Sequence, residues 1–277
     1  MIEIDLIRHV KVVGKPALYG CTDIAPIASE NAGLLNRLLT QQQTNQAYQA
    51  VVCSPLSRCH TVAKQFASLC QLPLALSSDL QEMNFGCFDG VPFDDLVFDD
   101  LSADKQTFEE NTVKENVFKK STLKDTFTEN KLPWSQLEAF FHAPAEIVLP
   151  GAETLSDFHQ RVILAWNQLI AQQVAMVAKQ KVTRVQAQES VQQSTLKPRR
   201  LLLIAHGGVI RMILAHILQL NWQQASWHQK LQLAHGSLSR VLISQPYQAS
   251  HHDHQNFNQQ FHQQVTSIAM PFLEGIQ

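Results

Sequence analysis

Two arginines, two histidines and one glutamate stand where strand-like runs of this chain end, and as a set they suit a tetrahedral dianion. IEIDLI (2–7) stops at Arg8 and His9. AVVCS (50–54) ends at Ser54 and is followed by Arg58. Glu82 follows a short strand-like segment around 73–77. LLLIA (201–205) opens directly onto His206, Gly207 and Gly208. A guanidinium offers planar, paired donors to phosphate oxygens. One imidazole can attack phosphorus, and a carboxylic acid can protonate the leaving oxygen. Glycines after His206 let the backbone approach closely and open a helix whose N-terminus favours anions. Taken singly, each residue has an ordinary reading: Arg58 as an exposed helix residue, His206 as a strand-end histidine, Glu82 as a surface carboxylate. Their common placement carries the chemistry, because ligands of a parallel α/β sheet bind beyond the carboxyl ends of its strands.

The elements that must position these groups are legible in the pattern. Residues 29–42 read as a helix with Leu34, Leu35, Leu38 and Leu39 on one face. In SPLSRCHTVAKQFASLC, Ser54 is placed to cap a helix and Pro55 to occupy its first turn. Leu56, Val62, Ala63, Phe66 and Leu69 form its apolar face. Residues 153–178 form a helix with Leu155, Phe158, Val162, Ala165, Trp166 and Leu169 inward. The polar, Gln-rich stretch 179–199 reads as a long connection. VIRMILAHIL is a helix, and strands are expected near 229–234 and 238–244. Strands alternating with helices predict an α/β fold around a largely parallel sheet. Residues 94–132, dense in charge and Thr, read as an insertion, partly helical, over the surface or over a site. The tail from Pro246 is polar and rich in Gln and His, with HHDH at 251–254 read as solvated. His60, His216, His228 and His235 receive no role.

Composition narrows the classes. The chain has 277 residues, 45% of them hydrophobic, and a net charge of -2, which excludes the strongly basic balance of nucleic-acid or polybasic membrane binders. Glu3 and Asp5 stand where a cleaved leader needs a basic start, and no stretch reaches membrane-spanning length. Cys21, Cys53, Cys59, Cys70 and Cys87 are odd in number and unpaired in spacing, so they read as reduced thiols of a cytoplasmic protein.

Five segments in order resemble the histidine phosphatase superfamily, also called phosphoglycerate mutase-like. LIRHV resembles its Arg-His-Gly signature, CSPLSRCHTVA its Ser-Pro-Leu-x-Arg segment, and LQEMNFGCFDG its Leu-x-Glu-x-x-Phe-Gly block. PGAETLSDFHQRV and LLLIAHGGVIRMIL are similar to its Pro-Gly-Gly-Glu motif and its second-histidine strand and helix. The resemblance spans about residues 2–245. It implies a three-layer α/β/α sandwich at 1–245 with an insertion at about 94–145, leaving 246–277 as the tail. It further implies His9 as the nucleophile, with its other ring nitrogen donating to a backbone carbonyl. Arg8, Arg58 and His206 would hold the phosphoryl oxygens, and Glu82 would act as acid and then base. Tyr19 and Gly207 would touch substrate, and no metal or cofactor is needed. ALYGCTDIAP (17–26) is similar to a stretch of the α-ribazole phosphatase branch, which acts on α-ribazole 5′-phosphate in cobalamin biosynthesis.

Departures bear on activity. Val10 stands for the glycine after the nucleophile, and a β-branched residue is strained at φ > 0. Ala152 stands for the second glycine of Pro-Gly-Gly-Glu, and Phe88 and Asp89 stand for Trp and Glu. The leading expectation is a phosphomonoesterase for a small metabolite, with a mutase or sugar-phosphate phosphatase as the alternative. A catalytically weak phosphoester-binding regulatory protein is the alternative from another class, with Val10 as its support. A homodimer is compatible with the sequence; nucleic-acid and membrane partners are not expected.

Overall fold

A computed structural model describes residues 1–44, 46–98, 132–186, 198–244 and 261–272. In chain order the elements are β1 (Ile2–Arg8), α1 (Ala28–Gln42), β2 (Ala50–Cys53), α2 (Ser57–Leu69), β3 (Leu74–Leu76), α3 (Trp134–His142), α4 (Leu155–Gln186), β4 (Arg199–Ala205), α5 (Gly207–Ile217), α6 (Ala225–Lys230), β5 (Ser237–Ser244) and β6 (His262–Pro271). The six strands form one mixed sheet in the order β3-β2-β4-β1-β5-β6. The first four in that order run parallel, and β5 and β6 run antiparallel to their neighbours.

Alternation along the strands sorts the core into two halves. Ile4 and Leu6 of β1 and Leu201, Leu203 and Ala205 of β4 pack with Phe158, Val162 and Trp166 of α4 and with α5. Ile7, Val51, Cys53, Leu202 and Ile204 point the other way, onto Leu34 and Leu38 of α1 and Val62, Ala63 and Phe66 of α2. The result is the expected three-layer sandwich. Register then sets the site. Arg8 pairs with Ala205 and Cys53 with Ile204, so His9, Ser54 and His206 leave the sheet side by side at its carboxyl edge.

Four local readings need correction. Helix α4 runs to Gln186, into the stretch expected as a connection, because 179–186 (KQKVTRVQ) has no Gly or Pro to stop it and its Lys, Arg and Gln residues are good helix formers. No strand forms over 229–234: α6 ends at Lys230, and the carbonyls of Leu231 and Leu233 serve arginines instead of a ladder. Within the segment expected as a polar tail, β6 is an edge strand. Its alternating Gln263, Val265, Ser267 and Ala269 turn inward, and Gln263 accepts the Trp166 indole N–H at 2.9 Å. Leu69 is 65% exposed, and Cys59 and Ala67 join the buried face of α2 in its place. The core of the 94–132 insertion and the HHDH run lie outside the described residues. Among the described residues no helix is long and apolar enough to cross a membrane.

Candidate active site

The end of β1 delivers His9 to the floor of a cavity of about 690 Å³. Its backbone N–H is held by the Ala205 carbonyl at 3.0 Å, and its ring Nδ1–H donates to the Val10 carbonyl at 2.7 Å. That bond assigns the proton to Nδ1 and leaves the Nε2 lone pair for attack. Burial, then the neighbouring Arg58 and Arg8 cations, hold the imidazole well below the usual histidine range, so it stays neutral near pH 7. Val10 adopts no positive φ and packs into the core at 2% exposure. Its methyl-bearing side chain sits against Gly236, which takes φ +71°. The departure from glycine is absorbed by packing, without backbone strain.

Arg8 lines the same cavity. Its NH1 donates to the Leu233 carbonyl and its NH2 to His235 Nε2 at 3.2 Å, while its buried Nε has no partner. A buried donor left open beside the His9 imidazole can take an acceptor oxygen. Gly207 and Gly208 open α5 against these groups, and the Gly208 N–H donates to Glu82 Oε2 at 2.9 Å. Glu82 thus stands at the N-terminus of α5, in the cavity with His9 and Arg8.

Glu82 is held from behind. Arg161 donates to the carbonyls of Asp79, Gln81 and Glu82 at 2.9, 2.9 and 3.0 Å and forms a 2.6 Å ion pair with Glu153. Glu153 in turn accepts the Asn84 N–H at 2.8 Å. The PGAET segment therefore fixes the loop that carries Glu82, with Ala152 in place of the second glycine.

Arg58 and His206 are placed differently from what the resemblance implies. Both are fully buried, and neither lines the cavity. Arg58 spends NH1 on the Thr22 carbonyl at 2.8 Å and NH2 on the carbonyls of Tyr19 and Gly20 at 2.9 and 2.6 Å. Its Nε donates to His206 Nδ1 at 3.1 Å. Because a guanidinium only donates, His206 carries its proton on Nε2 and gives it to Ser54 Oγ at 2.8 Å. Burial and the Arg58 cation push the His206 pKa well down, which matches this neutral tautomer. The two groups stand behind His9, with the His9 and His206 rings 5.2 Å apart. Ser54 is not the helix cap expected of it. Helix α2 starts at Ser57, whose N–H and hydroxyl both donate to Asp23 at 2.7 Å.

Tyr19 does line the cavity, its hydroxyl donating to the Lys15 carbonyl at 2.7 Å. The loop around it is clamped by Asp89, which accepts N–H groups from Gly20, Cys21, Thr22 and Phe85 at 2.8–3.2 Å. Burial works against the Asp89 carboxylate, but those donors outweigh it and hold its pKa below the usual range. Gly20 is obligatory there, since a Cβ would lie 1.9 Å from the Met83 carbonyl.

Sequence reasoning gave no role to five polar residues that line the cavity, Lys11, Lys15, Arg211, Gln229 and His235. Arg211 lies one helical turn beyond Gly207 and lines the pocket next to Arg8 and Glu82, its Nε bonded to the Leu231 carbonyl at 3.0 Å. The i, i+4 spacing from Gly207 could have found it. His235, given no role, sits 5.2 Å from His9 ring to ring, and no local signal marks it. The cavity also has an apolar lining: Phe85, Phe140, Phe141, Pro144, Leu155 and Phe158. Two of these come from α3, within the expected insertion. Among the described residues, no three His, Cys, Asp or Glu side chains are grouped to hold a metal ion.

Comparison with known proteins agrees with the fold. The model of the histidine phosphatase superfamily (branch 1) matches residues 6–116. No curated protein matches the sequence. Among solved structures, mycobacterial glucosyl-3-phosphoglycerate phosphatase aligns at 16% identity over 97% of this chain and 99% of its own, with a TM-score of 0.59. The α-ribazole phosphatase from Shigella flexneri aligns at 16% identity over 100% of both chains, also with a TM-score of 0.59. YhfR from Bacillus stearothermophilus aligns at 12% identity over 98% of both chains, with a TM-score of 0.63. These likenesses concern the fold.

Proposed function

We propose that this chain, which matches the histidine phosphatase superfamily over residues 6–116 and shares its fold, is a phosphomonoester hydrolase acting through phosphohistidine. One observation carries the reading. A neutral imidazole with a free Nε2, a guanidinium with an open buried donor, and an anchored carboxyl group share one cavity. Two steps follow. The Nε2 lone pair of His9 forms a bond to phosphorus as the ester P–O bond breaks, and Glu82 passes its proton to the leaving alkoxide. Water then attacks the phosphorus, gives its proton to Glu82, and the N–P bond breaks to release orthophosphate. Arg8 stabilises the charge that spreads over the phosphoryl oxygens in both steps. Arg58 and His206 support His9 from behind in the arrangement described.

The substrate is a small phosphorylated metabolite, and α-ribazole 5′-phosphate is our leading candidate. The resemblance of residues 17–26 supports it, as does the apolar lining of the same cavity, which suits a leaving group with an aromatic body better than phosphoglycerate. The test is hydrolysis of p-nitrophenyl phosphate in EDTA, followed by a panel of α-ribazole 5′-phosphate, 3-phosphoglycerate and fructose bisphosphates. We expect metal-independent phosphate release, its abolition in His9→Ala, and preference for the aromatic substrate. Wild-type inactivity across the panel overturns the hydrolase reading; preference for 3-phosphoglycerate overturns the substrate.

A further inference from the structure

We propose that His235 is a positioning residue that locks the phosphate-gripping Arg8 to the backbone of the nucleophile His9; this rests on the hydrolase reading above. One imidazole spans both groups. His235 Nδ1 lies 3.1 Å from the His9 carbonyl, and Nε2 lies 3.2 Å from Arg8 NH2. A carbonyl can only accept and a guanidinium can only donate, so both contacts are satisfied by a single neutral tautomer with its proton on Nδ1. The same segment adds three more ties. Leu233 offers its carbonyl to Arg8 NH1, and the Gly236 N–H donates to the carbonyls of Arg8 and His9 at 3.0 and 3.3 Å.

The consequence is orientation. With NH1 and NH2 each tied to the 233–235 segment, the guanidinium plane is fixed and its open Nε is aimed by His235 and Leu233 together. Protonation of Nε2 turns the acceptor into a donor facing a donor and sets a second cation against Arg8. The charged groups facing His235 are Arg8 from β1, Lys11 from the following loop and Glu30 from α1, and the neutral His9 ring lies alongside. Burial and Arg8 hold His235 below its ordinary pKa, consistent with the neutral form that the geometry demands.

Two substitutions dissect the ring. In His235→Gln the side-chain oxygen reaches the Nε2 position and can accept from Arg8; in His235→Asn the shorter amide reaches only the Nδ1 position and the His9 carbonyl. His235→Ala removes both. A hydrogen bond to a charged group accounts for about tenfold or more in binding. We therefore expect His235→Ala and His235→Asn to raise KM for p-nitrophenyl phosphate, and the calorimetric Kd for orthophosphate, by about tenfold, and His235→Gln to restore both to within about threefold. The wild-type KM should also rise at acidic pH in a way that His235→Gln lacks. Equal values for the Gln and Asn variants, or an unchanged Kd in His235→Ala, overturn the proposal. Should His235→Ala fail to fold, the Gln and Asn comparison decides alone. Orthophosphate binding needs no turnover, so an inactive wild type refutes the hydrolase reading without deciding this one.

Discussion

A methyl group added at Gly208 meets the carboxylate of Glu82 before anything else. Its Cβ would lie 2.2 Å from Oε1, 3.0 Å from Cδ and 3.3 Å from Oε2. Gly208 has an ordinary helical φ in the first turn of α5, so alanine suits the backbone and favours the helix by up to about 1 kcal/mol. The flexible carboxylate is what must move. It then loses the 2.9 Å bond from the Gly208 N–H that holds it in the cavity. General acid catalysis contributes about 10²–10⁴ in rate, which is roughly 2.7–5.4 kcal/mol at 1.36 kcal/mol per tenfold. Gly208→Ala should therefore melt at or above the wild-type temperature and lose about a hundredfold or more in kcat/KM on an alkyl phosphate. On p-nitrophenyl phosphate, whose leaving group needs no proton, kcat/KM should fall far less. Gly207→Ala is the matched control: its Cβ would meet Arg8 Nε at 3.3 Å and Cζ at 3.4 Å, tight but tolerable contacts. It should perturb KM and spare the leaving-group dependence. A stable Gly208→Ala enzyme that hydrolyses alkyl phosphates within about threefold of wild type refutes Glu82 as the acid.

Two further outcomes test the physics of the scaffold. His9 and His206 are held well below their unfolded pKa of 6.5 by burial and Arg58, so as pH falls below 6.5 the unfolded chain binds protons that the folded one refuses. Stability is full above pH 6.5 and declines on the way down to the depressed folded values, by up to about 1.4 kcal/mol per pH unit for each group; a urea midpoint that stays flat from pH 7.5 to pH 5 contradicts this. Asp5, fully buried in β1, accepts from the Tyr48 hydroxyl at 2.6 Å, Arg200 at 2.7 Å and Arg240 at 2.7 Å. Asp5→Asn leaves those cations short of their counter-charge at a cost of about 3–5 kcal/mol. At about 2–4 °C per kcal/mol, the calorimetric melting temperature should drop by roughly 6–20 °C.

Much of the site was legible because its signals are local. A β-branched, apolar run that ends in Arg8-His9, and another that ends in His206-Gly207-Gly208, announce strand ends carrying chemistry, and the two strands prove to be neighbours in the sheet. The donation of a His9 ring nitrogen to a backbone carbonyl, which the family resemblance implies, is present as the bond from Nδ1 to the Val10 carbonyl. The 179–199 stretch was less legible, because a polar, Gln-rich composition is shared by connections and exposed helices. The same ambiguity hid β6, whose alternation lies under a surface of Gln and His.

The residue types and their order determined, by themselves, the α/β layering and the placing of Arg8, His9 and His206 at the carboxyl ends of neighbouring strands. Tertiary structure alone decided what each cation does. Arg58 turned away to three carbonyls of the 19–22 loop and to His206, while Arg211, Lys11 and Lys15 line the cavity with Arg8, and the neutral His235 stands among them. The physical reason is that hydrogen-bond partners are chosen in space. Arg8 and His235 stand more than two hundred residues apart, and no periodicity in either neighbourhood records that one ring will come to hold the other's guanidinium.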